Sequence, residues 1–259
     1  MRKFSIVSRE DEKSVKTAKY IQQYLFKHGM SYTNKDPDIV CVVGGDGTFL
    51  AAVNKYVNSL DKVFFTGINT GTFGFFSDYQ SDEIEEYLED ILNKEPEFEA
   101  KRLLKITVTG ETERTYLAVN EMRVENIAKT QSIDVFVDDH HLETYRGSGL
   151  CICTQTGSTA FNRSLKGAVV ENGLEILELT EITGIHHSMY RSLGTPLILA
   201  GDRLIRLEAG FDDTTIMCFD RYSVSMAGVR KIECTLADQK VKIAHYRNAD
   251  YIEHLYHLF

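Results

Sequence analysis

The sequence predicts an N-terminal Rossmann-like parallel α/β domain followed by an all-β, sandwich-like domain. Strand and helix patterns alternate over roughly the first ninety residues, which is typical of a parallel sheet covered by helices. From Phe98 onward, short β-rich runs alternate with turn signals instead. The last residues, Asp250 to Phe259, have a helical pattern and are expected to return to the first domain. We therefore expect domains at 1–96, with about 245–259 packing back, and at 97–244.

The first domain opens with a strand pattern at Met1 to Val7, whose apolar core is too short for a signal peptide. Lys13 to His28 then carries one apolar helical stripe and ends at Gly29, the expected C-cap. Ile39 to Val43 is a continuous β-branched and apolar run, which indicates a fully buried strand of a parallel sheet. Three further elements are predicted in this domain: a helix from Thr48 to about Val57, a strand at Val63 to Ile68, and an acidic amphipathic helix at Asp82 to Leu92.

The second domain is predicted from short runs of β-forming residues. Gly110-Glu111 and Asp138-Asp139 are expected to form hairpin turns between such runs. The predicted strands are Lys105 to Thr109, Thr115 to Val119, Ile133 to Val137, Leu142 to Tyr145, Leu197 to Leu199, Leu204 to Leu207, Thr215 to Phe219 and Val229 to Leu236.

Composition narrows the function classes. The chain has 259 residues, 43% of them hydrophobic, and a net charge of -9. This negative charge argues against nucleic acid or an anionic membrane as a partner. Five cysteines without a Cys-x-x-Cys pattern indicate reduced thiols, so we expect a cytoplasmic protein. Adjacent histidines at 140–141 and 186–187 point apart on a strand or helix, and no resident metal site is predicted.

The most informative stretch is the glycine turn that follows the predicted buried strand. Gly44 and Gly45 allow a tight turn, Asp46 and Gly47 follow, and Thr48 is expected to cap the next helix. Backbone N–H groups at such a turn favour an anion such as phosphate. A carboxylate would repel a phosphate bound there. Asp46 therefore indicates a chemical role, in which it either holds a cation or accepts a proton. The alternative is that Asp46 only stabilises the turn.

A second turn, Asn69-Thr70-Gly71, ends the next predicted strand. Ligands of parallel sheets bind beyond the carboxyl ends of the strands, so the two turns are expected to line one crevice. Phe73, Phe75 and Phe76 follow, either as an apolar floor for that crevice or as core filling.

Two polar stretches of the second domain are also candidates. Asn120-Glu121 follows an apolar strand pattern and offers an amide with paired acceptors, which suits ribose hydroxyls. Thr154 to Phe161 places four hydroxyl residues around one glycine, a polar cradle for a heterocycle or phosphate. Taken alone, each of these two stretches is more often an ordinary polar turn.

Taken together, these stretches resemble a known family. Gly-Gly-Asp-Gly-Thr at 44–48 is similar to kinases of the diacylglycerol kinase, phosphofructokinase and NAD kinase group. Asn120-Glu121 followed by Thr-x-Thr-Gly-Ser-Thr-Ala-Phe at 154–161 resembles NAD kinases specifically, in their short bacterial form. The resemblance covers nearly the whole chain, including Gly-Ile-Asn-Thr-Gly at 67–71.

The resemblance implies a phosphoryl transfer from ATP, or polyphosphate, to the 2′-hydroxyl of the adenosine ribose of NAD, giving NADP. Asp46 matches the catalytic aspartate, Mg²⁺ or another divalent cation accompanies ATP, and Thr183 and Ile185 match a segment reaching a neighbouring subunit's ligand. A homo-oligomer, dimer or tetramer, is therefore implied. The implied substrate-binding residues are Gly45, Gly47, Phe75, Asn120, Glu121, Arg146, Ser148, Thr156, Ser158, Thr159, Ala160, Phe161, Ser164, Thr183, Ile185 and Arg221.

Several positions depart from the family pattern. Ser148 stands where the family usually has Asp, Gln155 where it has Pro, and Phe161 where it has Tyr. Lys166 replaces a glycine, and Arg221 follows Asp220 where Gly or His is usual. A lost hydrogen bond weakens binding by about 0.5–1.5 kcal/mol. These departures therefore bear on substrate affinity more than on reaction type.

Two alternative functions remain open from the sequence. A lipid kinase of the diacylglycerol type shares the glycine turn, although the chain has no Gly-Thr-Gly-Asn-Asp stretch. A dinucleotide-binding sensor with little kinase activity is suggested by Ser148 and Phe161. Asp46 argues against the sensor, since a binding protein needs no carboxylate beside phosphates.

Overall fold

The structure is a computed structural model that describes residues 2–72, 74–185, 192–247 and 251–258. The chain divides into two compact units, Met1–Lys101 with Gln239–Phe259 (unit 1), and Arg102–Asp238 (unit 2). The sequence predictions at Phe73 and at the histidine pair 186–187 lie outside the described residues.

Unit 1 contains a parallel sheet and helices. Its strands are β1 (Lys3–Ser8), β2 (Ser31–Tyr32), β3 (Ile39–Val43), β4 (Phe64–Asn69) and β5 (Tyr79–Gln80). Its α-helices are α1 (Glu12–Lys27), α2 (Asp46–Lys55), α3 (Ile84–Asn93) and α5 (Tyr251–Leu258), with 3-10 turns at Val57–Ser59 and Ser81–Glu83. The short helix α4 (Phe161–Ser164) belongs to unit 2.

The sheet of unit 1 has the order β4-β3-β1-β2, and all these pairings are parallel. Every residue of β3 is buried, because helices and neighbouring strands cover it on all sides. Strands β3 and β4 run in register, with Val43 beside Ile68, so the turns that follow them emerge at the same edge. The predicted parallel α/β domain is thereby confirmed.

Helix α1 shows how the sequence sets the local structure. Asp11 caps its N-terminus by accepting a hydrogen bond from the backbone N–H of Ser14, and Ile21 and Leu25 bury the predicted stripe. The cap at the other end is His28, and Gly29 follows it with a φ of 86°. Gly29 thus takes the left-handed position just beyond the cap, where glycine is favoured because it has no Cβ.

Unit 2 is rich in strands. Two strands, β6 (Glu97–Thr109) and β16 (Lys231–His245), contain the positions at which the chain passes between the units. The other strands are β7 (Glu113–Ala118), β8 (Glu121–Glu125), β9 (Gln131–Val137), β10 (His140–Thr154), β11 (Ile176–Gly184), β12 (Leu197–Ala200), β13 (Ile205–Glu208), β14 (Ile216–Phe219) and β15 (Tyr222–Ser225).

The strands of unit 2 pair antiparallel in the order β15-β14-β8-β10-β9-β13-β16, and β11 also pairs with β10. Both predicted hairpin turns are confirmed. Asp138-Asp139 joins β9 to β10, with Val137 opposite His140, and Gly110-Glu111 lies in the turn between β6 and β7. Strand β10 is far longer than the predicted run from Leu142 to Tyr145, and it forms the spine of the unit because it pairs with three strands.

Candidate functional site

The glycine turn has the predicted position between β3 and α2. The backbone N–H of Gly44 donates to the carbonyl oxygen of Ile68 at 3.1 Å, which ties the turn to β4. A Cβ added to Gly44 would lie 2.2 Å from Oγ1 of Thr48, so no other residue fits there without displacing the helix start. The glycine at 44 is therefore required by close packing of the turn against the first turn of α2.

Thr48 does not cap the helix, and the sequence prediction is wrong at this position. The N-cap is Gly45, and α2 begins at Asp46. Thr48 is buried in the first helical turn with its side chain against Gly44. This arrangement places Asp46 at the first helical position, where backbone N–H groups lack partners within the helix.

The carboxylate of Asp46 is held by the loop that follows β4. Its Oδ1 accepts hydrogen bonds from the backbone N–H groups of Phe75 at 2.8 Å and Phe76 at 3.4 Å. Among the described residues, both of these bonds fall on Oδ1, so Oδ2 remains for other chemistry. A Cβ on Gly74 would lie 3.0 Å from Oδ1. The two turns do meet at one place, as the sequence predicts.

Burial of Asp46 raises the pKa of its carboxyl group to about 6, and the hydrogen bonds from Phe76 and Phe75 oppose that rise. At neutral pH most molecules therefore carry the carboxylate, yet it is a stronger base than an ordinary aspartate. Such a group is suited to accepting a proton.

Asn69 and Thr70 stabilise the second turn. Asn69 Oδ1 accepts a hydrogen bond from the N–H of Gly71, and Thr70 Oγ1 is hydrogen-bonded to Ser14 Oγ at 2.7 Å. Asn69 Nδ2 is buried and has no partner among the described residues. A cavity of about 910 Å³ is lined in part by Gly71 and Gly74 of this loop. Its size is in the range of small-molecule sites.

The aromatic residues of this loop have different surroundings. Phe76 is buried and stacks on Phe49, with ring centroids 4.1 Å apart, so it is core filling. Phe75 is half-buried, and its ring meets that of His254 edge to face at 6.0 Å. Phe75 is therefore the described aromatic that remains a candidate for a pocket wall.

A second group lies in unit 2, around Asn120 and Glu121. Both are buried, at 8% and 5% exposure. The carboxylate of Asp220 accepts hydrogen bonds from the backbone N–H groups of Val119 at 2.9 Å and Asn120 at 2.8 Å. In return, the N–H of Asp220 donates to the carbonyl oxygen of Glu121 at 3.1 Å. Asp220 thus fixes the peptide that carries both predicted residues.

The side chains of Asn120 and Glu121 keep unused acceptors. Asn120 Oδ1 and Glu121 Oε2 are buried and lack partners in the described structure. A buried acceptor without a partner costs about 1–3 kcal/mol, which a ligand hydroxyl would recover. Burial raises the pKa of Glu121 to about 8, with Asp220 adding to the rise and Arg123 opposing it. At neutral pH the carboxyl group of Glu121 is mostly protonated, so it can donate as well as accept.

The Thr156–Thr159 3-10 turn packs directly on this group. Thr154 Oγ1 donates to the carbonyl oxygen of Val119 at 2.7 Å. The backbone N–H of Thr154 donates to the carbonyl oxygen of Asn120 at 2.9 Å. Gly157 approaches so closely that a Cβ there would lie 2.2 Å from the Asn120 carbonyl oxygen. The structure thus brings the predicted residues 120–121 and 156–161 together.

Replacing Gly157 with alanine is expected to lower the free energy of unfolding by about 1–3 kcal/mol, because the added methyl group meets a backbone oxygen that cannot rotate away. Chemical denaturation measures this change. Gly210→Ala is the matched control in the same unit, since nothing lies within 4 Å of a Cβ at that position. Equal stability of the two variants would contradict the packing described.

The other residues of this segment have distinct environments. Phe161 lies under the guanidinium of Arg123, 3.8 Å from its ring centroid. Ser158 is fully buried, and its Oγ accepts a hydrogen bond from the N–H of Val170, so its side chain serves the fold. Thr159 and Ala160 are half-buried, and Ser164 is exposed at the end of α4.

Arg146, Ser148, Thr183 and Ile185 form a separate group in the same unit. Gly147 pairs with Gly184 across β10 and β11, and the N–H of Ile185 donates to the carbonyl oxygen of Arg146. Cys153 pairs with Glu121, whereas Ser148 is five residues earlier on β10, or about 17 Å along the strand. One chain therefore does not bring these four residues to Asn120 and Glu121.

Sequence reasoning missed two residues that organise the site. Asp220, next to the predicted and exposed Arg221, has a φ of 47° in the β14–β15 turn. Arg123 was likewise absent from the candidate residues. The Asp-Arg pair between two short β-forming runs is the signal that would have indicated the turn. No local sequence pattern indicates that Asp220 contacts residues 119–121, because about 100 positions separate them.

The described residues contain neither a metal-ligand group nor a membrane-spanning helix. Among them, no group of three or more His, Cys, Asp or Glu side chains is placed to hold a metal ion. None of their helices combines the length and apolar character needed to cross a bilayer.

Comparisons with known proteins agree on one family. Residues 3–96 match the model of the ATP-NAD kinase N-terminal domain, and residues 119–245 match that of the ATP-NAD kinase C-terminal domain. The NAD kinase of Levilactobacillus brevis is 36% identical over 253 residues, covering 96% of this chain and 94% of the relative.

Two solved structures have the same fold. Yeast NADH kinase complexed with NADH has a TM-score of 0.87 and 16% identity, covering 100% of this chain and 87% of that one. An NAD kinase from Archaeoglobus fulgidus in complex with ATP has a TM-score of 0.78 and 22% identity, covering 99% of this chain and 98% of that one. With both domain models matched in order, the chain belongs to the NAD kinase family.

Proposed function

We propose that the chain transfers the terminal phosphoryl group of ATP to the 2′-hydroxyl of the adenosine ribose of NAD, giving NADP. The observation that carries this proposal is the carboxylate of Asp46, half-buried at a helix start beside glycines, with its pKa raised to about 6 by burial. The family model for residues 3–96 supports the assignment of ATP and NAD as substrates.

Asp46 is proposed as the general base. Its Oδ2 would take the proton of the ribose 2′-hydroxyl as the oxygen forms a bond to the γ-phosphorus. The bond from that phosphorus to the β–γ bridging oxygen breaks, and ADP leaves. Phosphoryl transfer passes through a loose transition state, so orienting the hydroxyl matters as much as base strength. The hydrogen bonds on Oδ1 fix the orientation of the carboxylate.

The glycine turn is proposed to hold phosphate. Gly45 and Gly47 flank Asp46 at the N-terminus of α2, where backbone N–H groups and the helix dipole favour anions. Since the described residues offer no three-ligand metal set, we propose that Mg²⁺ enters as part of the Mg²⁺–ATP substrate. Polyphosphate has the same phosphate chemistry and is a second candidate donor.

The group in unit 2 is proposed to recognise the dinucleotide. Asn120 Oδ1 and Glu121 Oε2 are buried acceptors without partners in the described structure, and they suit a ribose diol. We propose Thr156, Thr159, Ala160, Phe161 and Ser164 as further contacts, with Ser158 acting through the backbone it supports. Phe75 and Arg221 are proposed as peripheral contacts of the substrates.

Arg146 and Ser148 lie too far along β10 to join Glu121 within one chain, and Thr183 and Ile185 lie beside them at the end of β11. We therefore propose that they act on a dinucleotide held by a second copy, in a cytoplasmic homo-oligomer. This arrangement accounts for four candidate residues that the structure leaves apart from the rest.

The test is an assay of NADP formation by the purified chain with NAD, ATP and Mg²⁺. The expected result is NADP production that requires both nucleotides. NAD binding without NADP would favour the sensor, and phosphorylation of diacylglycerol in vesicles without NADP would favour the lipid kinase. Polyphosphate in place of ATP tests the second donor in the same assay.

A further inference from the structure

The loop that holds Asp46 is fastened at its far end by a charged network within unit 1. Asp78 follows Phe75 and Phe76 by only two to three positions. Its Oδ1 is hydrogen-bonded to Nδ1 of His245 at 2.7 Å, and its Oδ2 accepts from the N–H of Tyr246 at 3.3 Å. The loop is thus tied to the end of β16.

His245 bridges two carboxylates. Its Nε2 lies 3.5 Å from Oε2 of Glu99, on the side opposite Asp78. The side chains of His245 and Asp78 are 14% and 5% exposed, so water screens their interaction little. Burial alone would lower the pKa of His245, but the hydrogen bonds with Asp78 and Glu99 raise it to about 9. At neutral pH both ring nitrogens therefore carry protons and donate.

Other charged groups surround this bridge. Lys101 pairs with Glu99 at 2.9 Å, and His254 of α5 is close enough for the charge of His245 to lower its pKa, after the larger effect of burial. Arg247 Nη1 lies 3.5 Å from the carbonyl oxygen of Asp78. Arg247 also pairs with Glu83 and Glu86, whereas His245 is the cation that contacts the carboxylate of Asp78 itself and links it to Glu99.

The inner end of the loop is fixed by packing. Phe76 stacks on Phe49 of α2, and a Cβ on Gly67 would lie 2.5 Å from the carbonyl oxygen of Phe76. Ser77 alone separates this packed end from Asp78. The positions of the N–H groups of Phe75 and Phe76 therefore depend on both anchors.

We propose that His245 is a positioning residue for Asp46: by bridging Asp78 and Glu99, it holds the loop whose backbone N–H groups orient the catalytic carboxylate. This inference rests on the proposed function of Asp46. His245 touches neither substrate nor reacting atom in this role, and it acts through Asp78 and the loop.

The test compares His245→Ala with His245→Asn. In the alanine variant, kcat per NAD-binding site is expected to fall roughly 10- to 100-fold, because small displacements of catalytic groups have effects of that size. The KM for NAD should change by less than about threefold, since the misplaced group acts on the chemical step. Asparagine keeps a donor near the position of Nδ1 but neither the charge nor the contact with Glu99, so it is expected to restore kcat in part.

Amide hydrogen exchange gives a readout that does not depend on activity. Exchange at Phe75 and Phe76 is expected to accelerate in His245→Ala, while amides of β1 keep their rates. His140→Ala, an exposed histidine in unit 2, is the matched control. Should His245→Ala fail to fold, Asp78→Asn preserves the side-chain volume and is expected to give the same local change.

Unchanged exchange at Phe75 and unchanged kcat in both His245→Ala and Asp78→Asn would overturn the positioning role. So would a loss of kcat without faster exchange at Phe75 and Phe76, because the loop would then still be held in place. Absence of NADP formation by the wild-type chain would instead contradict the proposed function, and the exchange data would still report on the loop.

Discussion

Replacing Asp46 with asparagine is expected to lower kcat by about 10²–10⁴-fold while NAD still binds. Asparagine keeps the side-chain shape and can still accept the hydrogen bonds from Phe75 and Phe76. It cannot take a proton from the ribose hydroxyl. Steady-state kinetics with NAD and ATP, combined with a direct NAD-binding measurement, separates the loss of chemistry from a loss of binding.

The pH dependence of the wild-type reaction checks the same role. A general base works in its deprotonated form, so kcat/KM should rise with pH through about 6 and level off above it. This acid limb should vanish in Asp46→Asn. Asp61→Asn, at an exposed position of the same unit, is the control and should behave like the wild type. Turnover of Asp46→Asn within a few-fold of the wild type would remove Asp46 from the catalytic role.

Replacing Glu121 with glutamine is expected to raise the KM for NAD about tenfold or more and to stabilise the free protein at alkaline pH. The first effect follows because a carboxyl group can release its proton and offer two acceptor oxygens to a ribose diol, whereas the amide offers only one. The second follows because burial, with help from Asp220, raises the pKa of Glu121 to about 8. Kinetics and thermal unfolding at several pH values measure the two effects.

The raised pKa of Glu121 determines how the stability of the folded protein changes with pH. Below its ordinary value of 4.5, the carboxyl group is protonated in both the folded and the unfolded chain. Between that value and about 8 the unfolded chain binds fewer protons, so wild-type stability falls as pH rises. Glu121→Gln should therefore gain roughly 1–3 kcal/mol over the wild type near pH 8 and little near pH 4.5.

Glu113→Gln, an exposed residue on neighbouring β7, is the control and should show no such pH-dependent gain. A stability difference between Glu121→Gln and the wild type that is independent of pH would show that Glu121 is ionised in the folded protein at neutral pH. An unchanged KM for NAD in the same variant would remove Glu121 from dinucleotide recognition.

The sequence was sufficient where the determining contacts are local. A buried run followed by Gly44-Gly45-Asp46 predicted the strand, the turn and the helix start, and the parallel register then brought the Asn69 turn beside it. Even there, the cap was misassigned to Thr48. The close approach of its side chain to Gly44 is visible only in three dimensions.

Sequence patterns did not predict contacts between residues that are far apart in the chain. Asp220 fixes Asn120 from 100 positions away, and His245 meets Asp78 across 167 positions. Both contacts depend on which strands become neighbours, and no local spacing encodes that. The strands β11 and β15 were not predicted for a similar reason, since their pairings with β10 and β14 fix them in place.

The irregularity in the β9–β10 hairpin, between His141 and Glu143, has a consequence for how the protein tolerates change. Alternating side chains on a strand exchange faces when the pairing slips by one residue. An extra residue already absorbed near the hairpin tip means that further insertions at Asp138-Asp139 can be taken up there, whereas a single deletion between Gly149 and Thr154 would make the β10 side chains on one side of the deletion exchange faces of the sheet.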